Sequence, residues 1–556
     1  MKRILMIATE AKPYATAGGT SDVVGILPRV LRKQGYDVRL VLPHYSALIG
    51  SPQYQVRPAF TLEVAIGSRP LYATVHEAAL SSPDAGGELF PAYLIGGDPD
   101  GYLARANGKT VPLYPALEDS TADAGRLYAF FCRAALELAR KFHQDGWHPD
   151  IIHCHDWPTS LVPVYRQITL PRDPCLEGTR IVFTIHNISD VVYQGGWFTP
   201  AVLQQARLPL SLFREGQVEH NGRVNLIKAA IVFADRVNTV SEGYAAEIKR
   251  NDQESFLALT GERRTYRCSG GLHYVWSYFG LEPIGIRNGI DDAYDPRYIG
   301  QDGDWSLVAP DWQAHFAPAQ GRPLTEWAYG PDDPDLLPKK AQLKRYVQER
   351  CNRLLGSTLQ VDERIPVIAV RSRLVEQKGF DLLVAGLSQW SPAQPVQLII
   401  VAWGDDAQAR LYGLELDRLA QSHPDRIAFS RSWRDLPEPL HYAGADMLLM
   451  PSLFEPCGLP HMMALRYGTV PIVRRTGGLA DVVEEFDPIR GTGNGFDFVA
   501  PDCRETFQAV ERALRAYASP EHWGRLVHNA IQARDRQGRD FSWDAAAERY
   551  AAELYD

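Results

Sequence analysis

The feature that most constrains this chain is a repeated pattern: short runs of Val, Ile and Leu, each followed by helical periodicity. The first half carries such runs at Ile4–Ala8, Val38–Leu42, Ile151–Cys154, Ile181–Ile185, Arg236–Val240 and Ile284–Arg287. The second half carries them at Val367–Val370, Leu398–Val401, Ile427–Ser430, Met447–Met450, Val470–Val473 and Phe496–Val499. Near-continuous apolar runs are what strands buried on both faces require. Their alternation with helical segments implies βαβ units and parallel sheets. The expected fold class is α/β: two Rossmann-like, doubly wound domains facing a central cleft. Ligands of such sheets bind beyond the C-terminal ends of the strands, so the informative residues should follow strands directly.

Length and composition set the remaining bounds. A chain of 556 residues is long enough for two to four domains. Periodicity lapses over Asp295–Lys340, a stretch rich in Pro, Asp, Gly and Trp, and this reads as an irregular connection. Trp305, Trp312 and Trp327 within it suggest packing rather than a free linker. A second irregular insertion is expected over Ser81–Asp119. The expected division is a first domain over 1–290, a linker over 291–340, a second domain over 341–535 and a C-terminal helix over 536–556. A formal charge of −9 argues against a protein that grips nucleic acid over a broad basic face. Seven cysteines, odd in number and without a CxxC pair, read as reduced thiols of a cytoplasmic protein. The apolar run near the N-terminus is too short for a signal peptide. No stretch approaches the ~20 apolar residues needed to span a bilayer, so no membrane partner is expected.

The residues that follow strands are chemically distinctive. After the first strand come Glu10, Gly18, Gly19 and Asp22. Paired glycines before a helix let a backbone approach a ligand and present N–H groups to an anion, though Gly-Gly is also an ordinary turn. The segment lacks the GxGxxG spacing of a nicotinamide site. His155, Asp156 and Trp157 follow one strand, and His186 and Asn187 follow the next. Two such strand ends in succession suit a shared site as well as hydrogen-bonded structural histidines; no spacing calls for a metal. In the second half Arg373 and Lys378 precede Gly379 on a strand-to-helix turn. Arg offers planar bidentate donors and Lys a point charge, a pairing suited to a diphosphate. The segment from Met450 to Gly478 places Glu455, Cys457, Gly458 and Leu459 in one turn and Thr476, Gly477 and Gly478 in the next. A carboxylate, glycine turns and helix N-termini together would hold a sugar hydroxyl beside a phosphate.

These segments, with HDWPTSLVPVY, NLIKAAIVFADRVNTVS, RNGIDDAYDP and FEPCGLPHMMALRYGTVPIVRRTGGLADVV, resemble the bacterial glycogen synthase and plant starch synthase family, glycosyltransferase family 5 of the GT-B fold. The likeness runs nearly end to end. It implies a retaining glucosyl transfer from ADP-glucose, or UDP-glucose, to an α-1,4-glucan, with no metal and no other cofactor. It implies an acceptor-side first domain and a nucleotide-sugar-binding second one, with a last helix near Trp543–Tyr555 returning to the first. Arg373 and Lys378 would hold the donor diphosphate, and Glu455 would bind the donor glucose and steady developing positive charge. His186 and Asn187 would line the glucose pocket with Asp156 and Trp157 nearby. Asn225 falls at a polar position of the family's active-site region, and Asp22, Gly18, Gly19, Gly404, Asp405, Cys457, Gly458, Leu459, Thr476, Gly477 and Gly478 fall at donor-side positions.

Three motifs depart from the family pattern. Lys-x-Gly-Gly reads Thr16-Ala17-Gly18-Gly19, which removes a cation from the diphosphate site. A charge-assisted contact is worth ~1.5–3 kcal/mol; Lys12 is the nearby cation that could substitute. Gly-Leu-Thr-Gln reads Gly458-Leu459-Pro460-His461, where His461 could replace a lost donor. Gly-x-Gly-Asp reads Ala402-Trp403-Gly404-Asp405, with Trp403 either stacking on a base or narrowing the nucleotide pocket. Three functions fit: an α-glucan synthase with altered donor use, a same-fold transferase with another donor or acceptor, and a non-catalytic glucan-binding homologue.

Overall fold

In the computed structural model the described residues are 1–16, 18–45, 54–66, 70–80, 91–97, 121–301, 324–392 and 394–556. They divide into two compact units. One comprises 1–252, 267–287 and 546–556, and the other 253–266 and 288–545.

The first unit is built on β1 (Arg3–Ile7), a run with no polar residue after Arg3 and buried along nearly its whole length. Its helix α1 (Gly19–Lys33) leads into β2 (Asp37–Pro43). Then follow β3 (Tyr54–Val64), β4 (Leu71–Leu80), β5 (Ala92–Gly96), helix α2 (Thr121–Gln144), β6 (Ile151–His155), β7 (Arg180–Ile185), helix α3 (Leu226–Phe233), β8 (Arg236–Thr239) and β9 (Ile284–Gly285). Among the described residues nine strands form one sheet in the order β9-β8-β7-β6-β1-β2-β5-β4-β3. The strands from β9 through β5 pair in parallel, while β5, β4 and β3 pair antiparallel. The six apolar runs of the first half are all strands of the parallel part. β3 and β4 escape the sequence pattern because their residues alternate between exposed and buried, as at Glu63 beside buried Leu62 and Val64. The expected insertion at 81–119 lies outside the described residues except around β5, which is a fully buried strand.

The second unit holds β10 (Val367–Arg373), α4 (Phe380–Leu387), β11 (Gln397–Trp403), α5 (Ala407–Ser422), β12 (Ile427–Ser430), β13 (Met447–Met450), α6 (Leu459–Arg466), β14 (Val470–Arg474), α7 (Gly477–Val482) and β15 (Phe496–Phe498). The six described strands of its main sheet run parallel in the order β12-β11-β10-β13-β14-β15. The strand order therefore reverses between β10 and β13, which is where a doubly wound sheet opens a binding crevice at its C-terminal edge.

Two unit boundaries differ from the expected division. The hairpin Glu254–Leu257 with Arg263–Tyr266 belongs to the second unit. Glu254 pairs with buried Arg474, Arg264 pairs with Glu376, and the Tyr266 hydroxyl donates to the Leu453 carbonyl (2.6 Å). The second unit also extends to 545, because Ile290 pairs with Ser542 and Gly289 sits against the Trp543 backbone so closely that a Cβ would lie 2.5 Å from it. Helix α8 (Trp543–Arg549) carries the chain back. In the first unit Arg549 pairs with Glu242, and the Tyr555 hydroxyl meets His153 Nδ1 (2.8 Å). Of the linker tryptophans, Trp327 is buried against Tyr346 and belongs to the second unit, while Trp305 and Trp312 lie outside the described residues. No described helix is long and apolar enough to cross a membrane.

Candidate active site

In the second unit the site grows from the crevice between β10 and β13. β10 ends at Arg373, whose exposed side chain has no hydrogen bond or ion pair to another described residue. The chain then turns through Lys378 to Gly379, whose φ is +70°. A Cβ there would lie 2.0 Å from the Pro451 carbonyl oxygen. Glycine is thus what allows the loop after β10 to touch the loop after β13. That contact is sealed by Leu453 N–H donating to the Gln377 carbonyl (2.8 Å) and by the Gln377 amide donating to the Phe454 carbonyl (3.1 Å). The result is an ion pair: Lys378 Nζ lies 2.6 Å from Glu455 Oε2, with both side chains largely buried. The Ser452 hydroxyl donates to the same carboxylate oxygen (3.1 Å).

The next turn stacks beneath it. Gly458 has φ +82°, and a Cβ there would meet Leu479, Glu455 and His461 at 3.0 Å or less. Gly478 sits on Cys457, where a Cβ would be 2.2 Å from the Cys457 carbonyl oxygen, and Gly478 N–H donates to the Glu455 carbonyl (3.0 Å). Glu455, Cys457, Gly458, Leu459, Thr476, Gly477 and Gly478 are therefore brought together. Leu459 begins α6, Pro460 occupies its second position, and Thr476 precedes α7 as a buried residue. His461 is fully buried below Gly458, in the first turn of α6. Gly404 and exposed Asp405 lie between β11 and α5, where Asp406 caps the helix through Ala409 N–H (2.7 Å). Trp403 ends β11 and covers the Arg371 guanidinium, 5.6 Å from the ring centroid. Arg371 in turn donates to the Leu436 carbonyl (2.8 Å).

The first unit assembles a different cluster at its own C-terminal sheet edge. Asp156 follows β6 with φ 57°, an uncommon conformation for a residue with a side chain. It is held there by its carboxylate, which accepts the His186 backbone N–H (2.8 Å) and the Thr20 hydroxyl (3.3 Å). Burial and the nearby Glu10 push its pKa up to about 7, against the opposing pull of the His186 N–H. His155 Nδ1 lies 3.0 Å from His186 Nε2. Burial holds His186 at about 3 and His155 well below its ordinary value, so both imidazoles are neutral at physiological pH. Asn187 is half-buried, and its carbonyl oxygen accepts Ser189 N–H (2.9 Å). Buried Glu10 accepts Gly18 N–H (2.9 Å) at the start of α1. A Cβ at Gly18 or Gly19 would meet no described atom within 4 Å, so packing does not explain those glycines.

Other expected site residues also make structural contacts. Asn225 is fully buried: its carbonyl oxygen caps α3 through Lys228 N–H (2.9 Å) and its amide donates to Gln194 (2.7 Å). Trp157 lies in an aromatic cluster with Tyr128 and Trp197, at ring separations of 4.8 and 5.0 Å. Asp22 is ion-paired with Lys12, the cation expected to substitute for the one missing at exposed Thr16. Sequence reasoning assigned no site role to Glu10, Ser452 or Gln377. Glu10 had a signal in its place directly after β1; the other two act through contacts visible only in the fold.

Residues 3–260 match the family model described as starch synthase catalytic domain, and residues 357–529 match that described as glycosyl transferases group 1. The chain is 35% identical over 554 residues to glycogen synthase 2 of Geobacter metallireducens, spanning 100% of this chain and 98% of that protein. It is 34% identical to glycogen synthase of Pseudothermotoga lettingae, spanning 99% of this chain and 97% of that one. Among solved structures, the catalytic domain of starch synthase IV from Arabidopsis thaliana, bound to ADP and acarbose, superimposes with a TM-score of 0.76 at 28% identity, covering 100% of this chain and 98% of that one.

Proposed function

The chain belongs to the glycogen and starch synthase family, with its GT-B fold, and from that premise we propose that it transfers glucose from ADP-glucose to the non-reducing end of an α-1,4-glucan with retention of configuration. The observation that carries this reading is the Lys378–Glu455 pair at the strand-order reversal of the second sheet. A nucleoside diphosphate leaves as an anion, so preorganised cations lower the barrier to its departure and no acid has to protonate it. Arg373, exposed and without a protein partner among the described residues, and Lys378 supply that charge. Glu455 faces the sugar, where its carboxylate steadies positive charge developing at the anomeric carbon. His186 and Asn187 meet sugar hydroxyls. A neutral His186 ring does not repel a developing cation, which agrees with its depressed pKa. The open space before Gly18 and Gly19 leaves room for a ligand at the N-terminus of the 15-residue helix α1.

The donor is read as ADP-glucose because the Arabidopsis starch synthase was solved with ADP; the acarbose bound to that protein suits a glucan acceptor. Seven free cysteines fit a reducing cytoplasm. The test is glucose incorporation into glycogen from ADP-glucose and, separately, UDP-glucose, by wild type and Thr16→Lys. Transfer from ADP-glucose sustains the reading, and roughly a 10-fold gain in kcat/KM in Thr16→Lys marks the missing cation as limiting. Glycogen binding without transfer from either donor, in both proteins, replaces the enzyme by a glucan-binding homologue.

A further inference from the structure

We propose that His155 is a positioning residue that donates its Nδ1–H to His186 Nε2, fixing His186 as the Nδ1–H tautomer and making its outer nitrogen a hydrogen-bond donor to the substrate. The tautomer itself stands on geometry; its use in glucosyl transfer rests on the reading of the function above.

His155 is buried at the end of β6, and its Nδ1 lies 3.0 Å from His186 Nε2. Two imidazole nitrogens at that distance share one proton: one ring donates and the other accepts. Which ring donates is decided by the far nitrogen of His155. Its Nε2 is buried and has no hydrogen-bond partner among the described residues. A buried N–H without an acceptor costs about 1–3 kcal/mol, whereas unpaired acceptors are tolerated more readily. The His155 proton therefore sits on Nδ1 and points at His186. His186 accepts on Nε2, so its own proton sits on Nδ1. That nitrogen has no hydrogen-bond partner among the described residues, and the residue as a whole is partly exposed. A ligand atom meeting it must be an acceptor, such as a sugar hydroxyl oxygen or a phosphate oxygen.

The neighbouring ring obeys the same accounting with the opposite result. The Thr184 hydroxyl has one proton, which it donates to Asn238 Oδ1 (2.6 Å). It must therefore accept from His153 Nε2 (2.7 Å), leaving His153 Nδ1 to accept the Tyr555 hydroxyl (2.8 Å). The His153 ring lies 4.3 Å from that of His155, tilted by 31°, and confines its plane. The His186 backbone is pinned separately, by its N–H to Asp156 (2.8 Å). The end of β6 thus holds both the main chain and the ring of His186.

The test uses the full chain labelled with 15N-histidine, with the ring signals of His186 identified by their loss in His186→Gln. The expected spectrum shows His186 protonated on Nδ1 at neutral pH; protonation on Nε2 overturns the proposal whatever the activity. Kinetics follow on His155→Asn, whose amide can still donate, and His155→Leu, which cannot. The expected result is a loss of roughly 10-fold or more in kcat for His155→Leu, recovered in large part by His155→Asn, with unchanged glycogen binding in both. Equal losses in the two variants would sink the positioning role. A wild type that transfers no glucose would instead remove the functional reading, while the spectrum would still decide the tautomer.

Discussion

The C-terminal sheet edges of the two units carry opposite electrostatics. The second unit presents charge: the Lys378–Glu455 pair and the exposed Arg373 stand at the C-terminal edge of its sheet. The first unit presents groups held neutral: His155 and His186 are kept from protonation by burial, and Asp156 is pushed toward its neutral form. A diphosphate needs fixed positive charge, which costs little reorganisation when the cations are already held in place. A sugar offers hydroxyls, which are read by oriented neutral donors and acceptors. Under the proposed function, this contrast would give anion binding to the second unit and hydroxyl recognition to the first, and each variant below strains one side of it.

Glu455→Gln should have the largest effect. The amide keeps the shape but removes the charge opposite largely buried Lys378: kcat should fall by roughly 100-fold or more, and the uncompensated ammonium should lower the melting temperature as well. An activity within threefold of wild type would mean that the charged half of the comparison is structural. Gly379→Ala comes next. Its φ of +70° and the Pro451 oxygen 2.0 Å from the new Cβ force the two loops apart, at a cost of roughly 2–3 kcal/mol. Calorimetry should show a lowered melting temperature, and the donor KM should rise, because Lys378 and Glu455 separate.

The smallest effect is a slope rather than a loss. The Asp156 carboxyl titrates at about 7 in the fold against 3.8 unfolded. Its contribution to stability is complete below about pH 4 and is lost as pH rises toward 7. His153 and His186, at about 3 in the fold against 6.5, act the other way, and their contribution is lost as pH falls below 6.5. Asp156→Asn should flatten the decline between pH 4 and 7 by up to ~1.4 kcal/mol per pH unit and leave the acid limb in place. Chemical denaturation across that range measures it; an unchanged slope would show that Asp156 is ionised throughout and that the first unit also carries charge.

The sequence by itself determined the architecture and pointed to where the chemistry is proposed. Apolar runs such as Ile4–Ala8 and Val367–Val370 can be satisfied only as strands buried on both faces, and twelve of them separated by helical segments leave little besides two doubly wound sheets. Because ligands gather where such strands end, Arg373, Lys378, Glu455 and His186 stood out as candidates by position, and the family resemblance supplied their proposed roles. What only the tertiary structure decided is which of these side chains have a partner. Asn225 and Trp157 read as site residues, and the fold adds that the first caps α3 and the second packs in an aromatic cluster. Lys12 read as a substitute cation, but it is paired with Asp22. The hairpin at 254–266 stands within the first half of the chain, but Arg474 and Glu376 hold it to the second unit. The physical reason is one of range. Hydrophobic periodicity is a local signal, repeated every few residues and readable in one dimension. A hydrogen bond or an ion pair joins atoms that can be hundreds of residues apart, as Tyr555 is from His153, and exists only once the fold has brought them within about 3 Å.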